Sequence, residues 1–225
     1  MPAREPIFSP EIFQFFQQLH RNNRKEWMDA NRERYQTVVS RPFRRLLEEM
    51  TPFLLKLDGR LDVSGRGNFS RINRDIRFAK DKTPYRPQMY FKVPALFAAG
   101  ETGELYLGVS AKTVTLGFRI YSGGKRKASA LGVIADSRIA AKPAWLAQQR
   151  KRLGHKYESY WYATEKGSWT QKAGWPAPAD WPKLQGWIVR KKAAANALCS
   201  AGLCTELQKA FRELLPLLRF TSMAD

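Results

Sequence analysis

Between Arg71 and Arg86 the chain places six basic side chains, Arg71, Arg74, Arg77, Lys80, Lys82 and Arg86, around only two carboxylates, Asp75 and Asp81. Guanidinium groups grip phosphate and carboxylate through paired hydrogen bonds, so Arg71, Arg74, Arg77, Lys82 and Arg86 read as an anion cradle. Inside such a cradle Asp75 or Asp81 would serve as a general base, or as one ligand of a Mg²⁺ ion shared with a substrate phosphate. Two lone carboxylates are a poor metal set, and no metal or cofactor is expected. The same residues also admit a structural reading, an Arg–Asp network buried between helices and sheet with its carboxylates neutralised. The rest of the chain offers little competing chemistry. His20 and His155 stand without local partners, Cys199 and Cys204 are too few for a Cys/His zinc quartet, and Ser122–Lys127 (SGGKRK) lacks the full phosphate-loop pattern.

Positions four apart share a face in a helix or a strand, so Arg71 is expected beside Asp75, with Ile72 and Ile76 forming the opposite, buried pair. Pro84 pushes Thr83 towards extended geometry, which sets Asp81 and Lys82 on a stiff turn. Arg71, Asp75, Arg77, Asp81 and Lys82 are therefore expected to converge on one side of the fold.

Upstream of this segment the apolar period is helical. Ser9-Pro10-Glu11 reads as a helix start capped by the Ser9 hydroxyl, followed by Ile12, Phe15, Phe16 and Leu19. Asn22-Asn23 breaks the run, a second helix begins near Arg24, and Ser40 with Pro42 marks a kink or restart. Downstream the period becomes two: residues 88–93, 104–110 and 113–121 read as three strands of an antiparallel meander. Two shorter helices are expected at 128–139 and 143–153, strands from Lys156 and around 187–189, and loop from 164 to 182. The final helix carries the capping-box spacing Thr205-x-x-Gln208, and Pro216 should bend it. The expected fold is α+β, an antiparallel sheet with N-terminal helices and a C-terminal helix packed on it. One domain covers 1–225, as a helical front (1–60), a motif and sheet region (61–192) and the closing helix (193–225).

The run Arg71–Tyr85, RINRDIRFAKDKTPY, resembles the hallmark of a bacterial and fungal family, the domain of unknown function numbered 2461: R-x-x-R-D-x-R-F-[ST/A]-x-D-K-[TS]-P-Y. Arg71, Arg74, Asp75, Arg77, Phe78, Asp81, Lys82, Thr83, Pro84 and Tyr85 carry the match. The front segment FFQQLHRNNRKEWMDANRERY resembles the family's opening, including Asn22, Asn23, Trp27 and Asn31, and so does the closing Pro216-Leu217 helix. The resemblance marks Asn23, Trp27 and Tyr85 as further motif positions, although Asn23 and Trp27 also fit a helix–helix turn with a core aromatic. Membership implies no established activity.

Lys and Arg number 39 against 20 Asp and Glu, and residues 71–192 alone hold 24 basic and 8 acidic side chains. A charge of +19 concentrated in this way makes nucleic acid or a phosphorylated ligand the first partner to consider, bound weakly and without sequence preference. Trp169, Trp175 and Trp181 are candidates for stacking on bases. No signal peptide or membrane span is evident, so a cytoplasmic location and no membrane partner are expected. Three readings stand: binding of phosphate-bearing ligands or nucleic acid through residues 71–86, an enzyme acting on a phosphorylated small molecule at the same motif, and a scaffold in which the motif is a buried ion network.

Overall fold

The computed structural model describes residues 5–96, 103–122, 131 and 133–223. The apolar stripe Ile12, Phe15, Phe16 and Leu19 is buried along α1 (Glu11–Arg21). Pro10, not Ser9, occupies the N-cap position, and the Ser9 contribution is its carbonyl, which accepts from the Ile12 N–H at 3.2 Å. Two short helices follow, α2 (Lys25–Ala30) and α3 (Arg32–Tyr35). A π-helical turn at Gln36–Ser40 then leads into α4 (Arg41–Leu57). The restart expected at Ser40 and Pro42 is this widened turn, and Pro42 is the second residue of α4, where the regular helix resumes.

Six strands form one sheet in the order β1-β2-β3-β6-β4-β5, every pair antiparallel. The expected meander is β1 (Gln88–Pro94), β2 (Glu104–Ser110) and β3 (Val114–Tyr121). β4 (Glu158–Glu165) and β6 (Leu184–Ala193) extend it. Residues 164–182 are not the loop that their composition suggests. β4 turns through Lys166 and Gly167, both at positive φ (49° and 77°), into β5 (Ser168–Ala173), and Pro178–Lys183 forms a 3-10 turn. Two consecutive positive φ values are the two-residue hairpin geometry. β5 escaped the period-two reading because both its faces are largely exposed.

Between β3 and β4 lie α5 (Val133–Ala141) and α6 (Trp145–Leu153), the latter ending at Gly154 as expected. The expected start of the first of these helices, at residue 128, lies outside the described residues. α7 (Ala195–Leu198) precedes the long α8 (Leu203–Ser222), which runs through Pro216. Gly202 occupies the N-cap, so Thr205 sits inside the first turn and the Thr205/Gln208 capping box does not form.

Strand alternation sends Met89, Phe91, Val93, Leu107, Phe118 and Trp187 to one face, all buried. α8 lies on β2 and β3 across that face, with α4 and α5 alongside it, and Phe211 stacks on Phe91 at 6.5 Å between centroids. Trp187 is the hub, met edge-on by Phe118, Trp145, Trp175 and Trp181. Trp181 is buried and donates from Nε1 to Asp136 at 3.0 Å, so of the three tryptophans proposed for base stacking it is withdrawn into the core. Cys204 is buried, Cys199 half-buried, and neither forms a disulfide.

Candidate functional site

The motif is neither helix nor regular strand. Residues 60–74 return antiparallel to the outer edge of β1, touching it at single bridges Leu61–Ala95, Phe69–Phe91 and Asn73–Tyr85. Asn68 strengthens the contact, its carbonyl accepting from the Lys92 N–H at 2.7 Å. Fully buried, it donates through Nδ2 to the Asp62 and Lys92 carbonyls (2.7 and 2.8 Å) and accepts from the Gly65 N–H (2.8 Å), which satisfies its amide. Beyond it the two arms stay paired: Arg86 N–H donates to the Ile72 carbonyl at 2.7 Å and Arg74 N–H to the Pro84 carbonyl at 2.8 Å. Residues 75–83 are the projecting loop of that hairpin.

Burial along the first arm alternates, with Arg71, Asn73, Asp75 and Arg77 exposed and Ile72, Arg74 and Ile76 partly covered. Arg71 and Asp75 do share a face, but Asp75 pairs with Arg77 instead, at 2.6 Å to Nη2 and 2.9 Å to Nε. That pair is open to solvent and the hydrogen bonds from Arg77 hold the Asp75 carboxyl below its usual range. Phe78 next to it is 95% exposed. Lys82 turns its Nζ to the Ile76 and Arg77 carbonyls at 3.1 and 3.4 Å, bracing the tip from within.

The second cluster forms at the hairpin's base. Asp81 accepts from the Thr83 N–H at 2.9 Å and from its hydroxyl at 3.0 Å, the turn that Pro84 was expected to stiffen. Arg74 Nη1 donates to Asp81 Oδ2 at 2.5 Å, to the Thr83 carbonyl at 3.0 Å and to the Thr83 hydroxyl. The Thr83 N–H, with Arg74 and the Thr83 hydroxyl behind it, lowers the Asp81 carboxyl to about 2. The Asp81 side chain is nonetheless 62% exposed and that of Arg74 23% exposed. The ion network imagined as buried therefore lies at the surface, because the hairpin projects from the sheet edge instead of lying between helices and sheet.

Asn23, at the turn between α1 and α2, fixes where this base sits. Its Nδ2 donates to the Tyr85 carbonyl at 2.8 Å and its Oδ1 accepts from the Tyr85 N–H at 3.0 Å, so one side chain pairs with Tyr85 as a neighbouring strand would. The result is an open recess of about 450 Å³ lined by His20 and Asn23 from the helical front, Arg74, Asp81, Thr83, Tyr85 and Arg86 from the hairpin, and Pro87 and Gln88 where β1 begins. Arg86 Nη1 donates to the Arg71 and Asn73 carbonyls at 3.2 and 3.3 Å.

Of the residues singled out by sequence, Arg74, Asp81, Arg86, Asn23 and Tyr85 meet in this recess. Asp75, Arg77 and Lys82 belong to the hairpin tip. The Arg71 side chain makes no hydrogen bond or ion pair among the described residues and contributes its carbonyl to Arg86. Trp27 packs against Phe15 at 5.6 Å and is part of the core. His20 and Gln88 were not foreseen as lining residues; the only hint was the adjacency of His20 to the Asn22-Asn23 break. Among the described residues no three His, Cys, Asp or Glu side chains gather in a metal-binding group.

A family model described as a conserved hypothetical protein family, DUF2461, matches residues 11–220. The chain belongs to the DUF2461 family. The match spans α1 to the last turns of α8 and so takes in the whole helical front, the hairpin and the sheet of this DUF2461 member. No curated protein and no solved structure matches the chain. No helix among the described residues is long and apolar enough to cross a membrane.

Proposed function

We propose that this DUF2461 protein binds a small phosphate- or carboxylate-bearing ligand in the recess between the α1–α2 turn and the 71–86 hairpin. The observation that carries the reading is the state of two guanidinium groups. Among the described residues Arg74 and Arg86 each give only Nη1 to protein acceptors, and both residues line the recess, so their remaining N–H groups are available to a ligand. A guanidinium has five N–H donors in a planar fork suited to phosphate and carboxylate oxygens. The volume, about 450 Å³, falls in the range of about 300–1,000 Å³ usual for small-ligand sites.

Binding is favoured over general-base catalysis by the acid itself. A carboxyl held at about 2 is ionised at neutral pH but accepts a proton poorly, so Asp81 is better suited to orienting Arg74 than to abstracting a proton. Calorimetric titration with pyrophosphate and with citrate tests the reading. The expected result is one site per chain, weakened at least about tenfold by Arg86→Ala in a protein that remains folded by circular dichroism. Absence of binding by every anion tried, or binding untouched by Arg86→Ala, overturns it.

A further inference from the structure

The second face of the sheet, opposite the helices, is lined by aromatic rings and cations. Tyr90 on β1, Tyr106 on β2, Tyr121 on β3, Tyr160 and Tyr162 on β4 and Trp169 on β5 all project from it, as the strand register requires. Glycines let the rings lie along the sheet. Tyr90 is paired with Gly108, where an added Cβ would stand 2.4 Å from the Tyr90 ring. Tyr121 is paired with Gly186, where the corresponding distance is 2.6 Å.

Guanidinium groups are set among these rings. Arg119 lies 4.2 Å from the Tyr90 centroid and 4.7 Å from that of Tyr106, and Arg190 lies 4.8 Å from Tyr160. Further along, Tyr121 and Trp169 are near parallel (13°) at 6.4 Å, with Tyr162 beside both. These last rings are the accessible ones, Trp169 at 45% and Tyr121 at 38%. Glu104 answers Arg119 at 2.6 Å and Lys92 at 4.0 Å, and Glu158 answers Arg190 at 2.6 Å. With Lys192 on the same face, four cations meet two carboxylates among the described residues, a positive excess.

We propose that this face is a single-strand nucleic-acid platform, in which bases stack on Trp169, Tyr121 and Tyr162 while phosphates follow the cationic side chains. Every base has a π face, so such stacking tolerates any sequence, and backbone phosphates complement the positive excess. Six strands span roughly 24 Å at about 4.8 Å per strand, a breadth that fits a polymer better than a metabolite. The platform stands on residues other than the anion recess; only Gln88 lies on this face and also lines the recess.

Fluorescence anisotropy with a labelled oligothymidylate and an oligouridylate of about 12 nucleotides tests the proposal at low and moderate salt. The expected result is binding that falls steeply with salt, exceeds that of a duplex of the same length, and weakens about tenfold or more in Trp169→Ala and Tyr121→Leu. Tyr121→Phe, which keeps the ring, should bind as the unaltered protein does, and Arg86→Ala should not matter here. No binding at low salt, preference for the duplex, or indifference to the ring substitutions overturns the proposal. So does a dimer in sedimentation that Trp169→Ala dissociates, which would make the face a contact between two copies of the chain.

Discussion

Asn23 and Tyr85 lie 62 positions apart and exchange two hydrogen bonds, the side-chain amide of one with the backbone N–H and carbonyl of the other. This pairing ties the helical front to the hairpin and so creates the recess. Asn23→Ala removes both bonds and leaves two partly covered backbone groups without that partner, a loss of about 1–3 kcal/mol. For a chain of this size it should lower Tm by several degrees, about 2–4 °C per kcal/mol. Asn23→Asp, which retains an acceptor but no donor, should fall between. Thermal denaturation of both variants is the check, and an unchanged Tm would mean that the hairpin is held elsewhere.

The Asp81 carboxyl should titrate near 2 when followed by NMR, because the Thr83 N–H, Arg74 and the Thr83 hydroxyl all favour its charged form. Its folded value lies below the ordinary 3.8. Its contribution to stability is therefore fully present above about pH 4 and lost as pH falls through about 2. Arg74→Ala should raise the midpoint towards the ordinary value. A midpoint near 4 in the unaltered protein would contradict the Arg74–Asp81–Thr83 geometry.

The projecting tip should be dispensable for folding. Phe78 is almost wholly exposed and the Asp75–Arg77 pair beside it faces solvent. Phe78→Ala should change stability by no more than about 0.5 kcal/mol. Chemical denaturation measures it directly, and a loss of several kcal/mol would show that the ring packs in solution.

Gly117 and Gly108, on the sheet beside the tyrosine rows, should respond differently to alanine. At Gly117 the new Cβ would stand 2.3 Å from the Val189 carbonyl oxygen, a backbone atom that cannot step aside. Gly117→Ala should therefore cost about 1–3 kcal/mol, as overpacking does. At Gly108 the obstacle is the Tyr90 ring, which can rotate away, so Gly108→Ala should be milder in Tm while changing the near-UV circular dichroism. Equal losses in the two variants would contradict this assignment of the contacts.

The strands β1, β2 and β3 were legible because one face of each is buried against helices, which leaves a clean alternation such as Met89, Phe91 and Val93. β5 was not, since neither of its faces is consistently buried. In the hairpin, Pro84 correctly located the turn that holds Asp81. The division of labour within it was hidden: spacing alone joined Asp75 to Arg71, whereas the chain's local turn brings Arg77 to Asp75. Asn23 was singled out only through the family resemblance, because one side chain pairing with a distant backbone leaves no periodic trace. The tyrosine rows were missed for a related reason, as each of the four strands that carry them contributes only one or two rings to that face.

The most direct test of the anion recess is a backbone and side-chain amide NMR titration of the protein with pyrophosphate. The account predicts saturable shifts confined to His20, the Asn23 side-chain amide, Arg74, Thr83, Tyr85, Arg86 and Gln88, groups that surround the recess. No shift at saturating anion, or shifts that avoid these groups and gather elsewhere on the fold, would contradict it.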